Sequence, residues 1–207
     1  MRHNETNNKF VYLISPNKIK EESFYNNLAL ILNSGKISFF QLRLKKETNS
    51  NKLIIGRKIK RICKKYKVKF LINDDPQLAK KLNADGCHLG QKDMDLIKAR
   101  KILKNKIIGI TCHNSINLAK SAIEAGADYL ALGAFYASKT KMVKYRATLP
   151  MLKSVKKITS LPIVAIGGIK LNNYKKLLLN KANFLAISGY IWNNKKYKPL
   201  EAIKKLK

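Results

Sequence analysis

Residues 107–132 read IIGITCHNSINLAKSAIEAGADYLAL. The first five, Ile107–Thr111, form a short apolar run of the kind that parallel sheets cover on both faces. A helix-spaced segment follows: Ser115 opens it, Ile116, Leu118, Ala119, Ala122 and Ile123 share its inward side, and Gly126 stops it. A second apolar run, Tyr129–Leu132, comes at once. Strand, helix and strand in about 26 residues make one βαβ unit with short loops.

The unit recurs along the chain. Further strand candidates at Phe10–Ile14, Ile37–Leu42, Val68–Asn73, Gly86–Leu89, Ile163–Ile166 and Phe184–Ile187 alternate with amphipathic stretches. One of these stretches opens with Asp75-Pro76, a capping residue before proline at the first helical position. Eight strands, each followed by a helix, predict an α/β fold with a single (β/α)8 TIM barrel. The competing reading is an open doubly wound sheet, whose G-x-G-x-x-G fingerprint is absent. No linker or low-complexity tract divides the 207 residues. Residues 10–207 are expected to form one catalytic domain behind a flexible N-terminus over 1–9.

Lysine and arginine number 43 against 12 acidic residues, a net charge of +31. Thirty-seven of the 43 are lysines, spread from Lys9 to Lys207 over every predicted helix. A nucleic-acid reader concentrates its basic residues and uses arginine for forked contacts. An even coat of lysine beside abundant asparagine and isoleucine reads instead as compositional bias on solvated faces, so no nucleic-acid partner is expected. A single lysine is therefore a weak signal here, and an arginine or aspartate a stronger one. A hydrophobic share of 45% excludes wholesale disorder. No apolar run approaches the roughly 20 residues of a membrane span. The polar start Met1–Asn8 lacks a secretory pattern, and three scattered cysteines build no disulfide framework. Cys87-His88 and Cys112-His113 lack zinc spacing. A cytoplasmic protein is expected, with no membrane partner; a homo-oligomer is compatible with the sequence.

A barrel places its site at the C-terminal ends of its strands. Strand two ends in Gln41, Arg43 and Lys45, which alternation puts on one face, pointing into the barrel or its mouth. Three inward polar residues are costly unless they meet a ligand; the alternative is a strand end with solvated charges. Five of the twelve acidic residues, all aspartates, fall between Asp74 and Asp95. Asp74 and Asp93, at adjacent strand ends, suit a hard cation such as Mg²⁺, which takes one or two carboxylates plus substrate phosphates. Asp75 reads as a helix cap, Asp95 as a first-turn residue, and Asp85 as part of the turn before its strand. After strand six, Ser138-Lys139-Thr140-Lys141 interleaves hydroxyls with cations in a phosphate-clamp pattern. Gly167-Gly168 after strand seven, running into a helix start, and Ser188-Gly189 after strand eight occupy the fold's recurrent phosphate site.

From about Gln41 to Ser188 the chain resembles the thiamine phosphate synthase family. The motifs, in order, are Gln41-Leu42-Arg43-x-Lys45, Ile72-Asn73-Asp74, Asp85-Gly86-x-His88-Leu89-Gly90-Gln91-x-Asp93, Gly126-Ala127-Asp128-Tyr129, Ser138-x-Thr140-Lys141 and Ala165-Ile166-Gly167-Gly168-Ile169. The resemblance implies a transferase that joins a hydroxymethylpyrimidine diphosphate to the ring nitrogen of a thiazole phosphate, releasing pyrophosphate. It implies Mg²⁺ on Asp74 and Asp93. It assigns the pyrimidine diphosphate to Arg43, Lys45, Asn73 and Lys141, with Gln41 placing the pyrimidine and Thr111 near the departing pyrophosphate. Ser138 and Thr140 would contact the thiazole, and the backbone at Gly168, Ile187 and Ser188 its phosphate. Thr111 and Ser138 depart from the family's usual serine and threonine, and both keep a hydroxyl.

Two rivals stand beside this reading. The related thiazole tautomerases carry a histidine directly after the strand-six glycine, where this chain has Ala134; His113 reads as a loop residue. A basic nucleic-acid-binding protein would show clustered arginine among exposed aromatics. Tyr136, Tyr145, Tyr190 and Trp192 do not interleave with such a patch.

Overall fold

The computed structural model describes residues 9–19, 21–137 and 144–207. The chain runs Val11–Ile14 (β1), Glu22–Asn33 (α1), Ile37–Leu42 (β2), Asn49–Lys65 (α2), Lys69–Asn73 (β3), Pro76–Lys81 (α3), Gly86–Leu89 (β4) and Leu96–Leu103 (α4). It continues Ile107–His113 (β5), Ile116–Glu124 (α5), Tyr129–Gly133 (β6), Leu149–Ile158 (α6), Ile163–Ile166 (β7), Tyr174–Leu179 (α7), Phe184–Ile187 (β8), Gly189–Trp192 (α8) and Pro199–Lys205 (α9). The strands close in order, β1 to β8, with every neighbour parallel. This is a (β/α)8 barrel. The residues expected to form the N-terminal arm lie, Lys9 apart, outside those described.

Strand periodicity sorts the apolar side chains into two layers. Tyr12, Ile14, Leu71, Tyr129, Ala131, Val164 and Ala186, with Phe39 and Phe184, fill the barrel interior. Their alternates, among them Leu13, Phe40, Phe70, Ile72, Leu130 and Leu185, pack outward against the helices. The interior is unusually aromatic: Tyr12, Phe39, Tyr129 and Phe184 meet with ring centroids 5.0–6.2 Å apart. Gly109 is what admits Tyr129, because a Cβ there would lie 1.8 Å from its Cζ.

Several local expectations need correction. His113 is the last residue of β5, not part of a loop; it follows a register shift at positive φ (51°), its ring 4.4 Å from that of Tyr145. Ile116 is exposed rather than inward because it opens α5 at the rim, beyond the cover of the sheet; the buried side is Ala119 and Ala122. Asp95 stands one position before α4, accepting from the N–H groups of Ile97 and Lys98, rather than in the first turn. Gly167 and Gly168 do not run directly into a helix. Asn173 accepts from Lys170 N–H and donates to Gly168 O, holding a turn before α7 begins at Tyr174. Asp75 caps α3 by accepting from Leu78 N–H at 2.9 Å. No helix among the described residues is long and apolar enough to cross a membrane.

Candidate active site

The C-terminal rim gathers charge at β2, β3 and β4. Of the three polar residues at the end of β2, Gln41 alone lies inside the barrel, 2% exposed. Arg43 and Lys45 fall past the strand on the rim, separated by buried Leu44, so the expectation of three inward residues holds for one. Arg43 donates to Asn17 Oδ1 at 3.3 Å, and its backbone N–H is held by Ser15 Oγ at 2.9 Å. Lys45 Nζ sits 2.8 Å from Asp74 Oδ2. Asn73 ends β3 beside His88 of β4, and the two line up in register.

Asp74 is held at φ 66° by its N–H, which donates to His88 O at 2.8 Å and carries the β3–β4 pairing one step past the strand. An aspartate in that left-handed region is strained, and strain of this kind concentrates at functional sites. Its carboxylate faces that of Asp93 at hydrogen-bonding range. Asp93 Oδ2 in turn accepts from Gly90 N–H at 2.6 Å, and a Cβ on Gly90 would lie 2.9 Å from that oxygen. The two acids shift in opposite directions. Burial, then the hydrogen bond and charge of Asp74, push the Asp93 carboxyl up. Burial also opposes ionisation of Asp74, but the hydrogen bond from Lys45, aided by Asp93 and the Lys45 charge, outweighs it and holds that carboxyl below its ordinary range.

This donor set fits Mg²⁺. Among the described residues only Asp74 of the two neighbouring carboxylates is paired with an ammonium, that of Lys45, an arrangement that a further cation would relieve. No cluster of three or more His, Cys, Asp or Glu surrounds them among the described residues. A pair of carboxylates leaves the remaining octahedral positions to water and phosphate, as Mg²⁺ prefers.

Deeper in the mouth, Thr111 Oγ1 lies 2.9 Å from His88 Nε2, and Gln41 Nε2 donates to Tyr12 Oη at 3.1 Å. Burial pushes the His88 imidazole down to about 4, against the opposing charge of Asp74 and with that of Arg43. Tyr12 and Tyr129 complete the connection between them. From sequence Tyr12 reads only as a strand residue and Tyr129 as a strand residue that closes a family motif with no role attached, and the available signal for their meeting was their inward phase on strands facing each other across the barrel.

The opposite side of the rim is backbone. The segment after β6 is stitched to the one after β7 by Phe135 N–H to Ile166 O and Tyr136 N–H to Gly167 O, both 3.1 Å. Gly168, at φ 61°, packs so closely there that a Cβ would lie 2.3 Å from Ala137 O. Ile187 ends β8, and Ser188, which precedes α8, donates its hydroxyl to Ser15 O at 3.1 Å. Ser138, Thr140 and Lys141 lie outside the described residues. A separate basic concavity of Arg57, Lys60, Arg61, Lys64 and Lys81 sits on α2 and α3, away from this rim. Its cations have no acidic partner among the described residues.

A (β/α)8 barrel with cations, facing carboxylates and tight glycine turns at its C-terminal rim defines an enzyme of phosphorylated small molecules. The model for thiamine monophosphate synthase matches residues 11–191, and the chain belongs to that family. It is 84% identical, over the whole length of both proteins, to the thiamine-phosphate synthase of Pelagibacter ubique strain HTCC1062. It is 45% identical over 157 residues to that of Marinobacter nauticus, covering 75% of this chain and 70% of that protein. Among solved structures, thiamine phosphate pyrophosphorylase from Pyrococcus furiosus superposes with a TM-score of 0.84 at 26% identity, over 97% of this chain and 95% of that one. The chain is a transferase of thiamine biosynthesis, and the synthase reading prevails over the tautomerase one.

Proposed function

We propose that the rim performs thiamine phosphate synthesis by ionising a hydroxymethylpyrimidine diphosphate next to a thiazole phosphate. The observation that carries the proposal is the Lys45–Asp74–Asp93 cluster at the ends of neighbouring strands. Asp74 and Asp93 would hold Mg²⁺. When bound, the ion supplies charge neutralisation to the diphosphate. Arg43 grips two diphosphate oxygens with its planar fork, and Lys45, Asn73 and Lys141 bind the rest. Gln41 orients the pyrimidine, and Thr111 meets the departing pyrophosphate. The carbon–oxygen bond to the diphosphate breaks, the aminopyrimidine spreads the positive charge, and the thiazole nitrogen closes the new carbon–nitrogen bond. No side-chain nucleophile is needed. Backbone at Gly168, Ile187 and Ser188 takes the thiazole phosphate, with Ser138 and Thr140 on the ring. The same reading makes residues 10–207 one catalytic domain of a cytoplasmic enzyme with small-molecule substrates and no nucleic-acid partner.

The test is incubation of the purified protein with both phosphorylated precursors and Mg²⁺. Thiamine phosphate and pyrophosphate should appear in equal amounts. Isomerisation of the thiazole without any thiamine phosphate would favour the tautomerase reading instead.

A further inference from the structure

Five side chains from five strands cross the barrel interior in one unbroken string. Gln41 Nε2 donates to Tyr12 Oη at 3.1 Å. The Tyr12 and Tyr129 hydroxyls lie 2.8 Å apart. Tyr129 Oη is 2.8 Å from His88 Nδ1, and His88 Nε2 is 2.9 Å from Thr111 Oγ1. Gln41, Tyr12, Tyr129 and His88 are all buried. Barrel interiors are ordinarily filled by branched aliphatics, and a buried polar string is tolerable only when every member is satisfied.

With Gln41 Nε2 as the donor at one end, counting protons along the string sets its direction. Tyr12 accepts from Gln41, so its own hydrogen goes to Tyr129. Tyr129 then donates to His88 Nδ1, which must be bare. The ring hydrogen is left on Nε2 and goes to Thr111, whose hydroxyl hydrogen is free to point outward. At the other end Gln41 Oε1 bonds to none of the described residues and is not among the sealed polar atoms. The ends therefore present an acceptor at Gln41 and a donor at Thr111.

We infer that this string fixes hydrogen-bond polarity across the pyrimidine diphosphate site, with Tyr12, Tyr129 and His88 as positioning residues that aim Gln41 Oε1 at the pyrimidine and the Thr111 hydroxyl at the leaving diphosphate. The inference rests on the roles given to Gln41 and Thr111 above. As the carbon–oxygen bond breaks, the aminopyrimidine turns positive and the pyrophosphate gains negative charge. An acceptor at the first and a donor at the second both strengthen in the transition state, where binding accelerates the reaction. With the Gln41 amide turned over, every link would reverse and both ends would present the wrong group.

The direct test is the His88 tautomer, read by imidazole ¹H–¹⁵N NMR of the full-length wild-type protein at neutral pH and assigned by loss of its signals in His88→Gln. The string requires hydrogen on Nε2 and none on Nδ1. The Nδ1–H tautomer, a mixture of the two, or an imidazolium overturns it. Kinetics give a second readout. Tyr12→Phe and Tyr129→Phe should each lower kcat by about tenfold with little change in KM, and the double variant should be no slower than the slower single, because a cut string cannot be cut again. Multiplicative losses, or losses confined to KM, overturn the inference. Wild-type turnover separates the two levels. A protein that makes thiamine phosphate but fails these tests loses only the string, whereas one that makes none loses the underlying reading and the string with it.

Discussion

Asp93 and Asp95 are near neighbours in sequence with unlike work. Asp95 accepts from two N–H groups at the start of α4, so Asp95→Ala should cost about 1 kcal/mol of stability in urea unfolding and leave kcat unchanged. Asp93 faces Asp74, and Asp93→Ala should lose far more activity than stability; equal effects on turnover would show the metal pair to be misassigned. Arg43 is one of only six arginines, and Arg43→Lys should cut kcat/KM for the pyrimidine diphosphate by at least about tenfold, because a point charge does not replace a fork. Lys153→Gln and Lys175→Gln on helix surfaces should stay near wild type under the same assay. His88 gives a pH signature. Its folded-state value of about 4 lies below the unfolded imidazole's ordinary 6.5, so between those values the unfolded chain binds a proton that the folded one refuses. Stability should fall as pH drops through that window, by up to about 3 kcal/mol, and His88→Gln should flatten the slope in denaturant titrations. The rim residues were legible because aspartate and arginine are scarce in this chain. Tyr12 and Tyr129 were not, because tyrosine suits either face of a strand and their meeting depends on the space left by Gly109 in a third.

The eight strands, and the helix read after Ser115, were legible to within a residue or two, since continuous apolar runs and 3.6-residue spacing are local signals. What escaped was decided by partners distant in sequence or by side-chain turns. Asn173 delays α7 by clasping Lys170 and Gly168, and β5 runs on to His113 because the β5–β6 register shifts there. The glycines give an element-level test. Gly109→Ala would put a methyl onto the Tyr129 ring and should cost about 1–3 kcal/mol of stability, with turnover falling as the tyrosine is displaced. Gly126→Ala meets open space at φ 82°, so it should cost only the strain of left-handed backbone, about 1–2 kcal/mol, and spare turnover. If Gly109→Ala keeps full activity, the interior tyrosine has no positioning role.

At the scale of the molecule, +31 charges on one barrel repel each other, and only four ion pairs connect the described residues. Added salt should therefore raise Tm while lowering kcat/KM for the anionic substrates, because one screening term relieves self-repulsion and weakens attraction of the diphosphate. A Tm that falls with salt would mean that specific ion pairs outweigh the background. The charge itself was plain from composition, but its placement was not: among the described residues the arginines of α2 have no acidic partner and stand away from the rim, where Lys45 pairs with Asp74 and Arg43 with Asn17. On the proposed mechanism, Asp74 and Asp93 form a cation site that lets the diphosphate leave. The most direct test is initial rate against free Mg²⁺ for wild type and Asp93→Asn, starting from chelator-treated protein. The expected result is no turnover in excess chelator, full recovery of the wild type on adding Mg²⁺, and a requirement shifted to much higher Mg²⁺ in the variant. Full wild-type turnover in excess chelator, or identical Mg²⁺ curves for the two proteins, would contradict it.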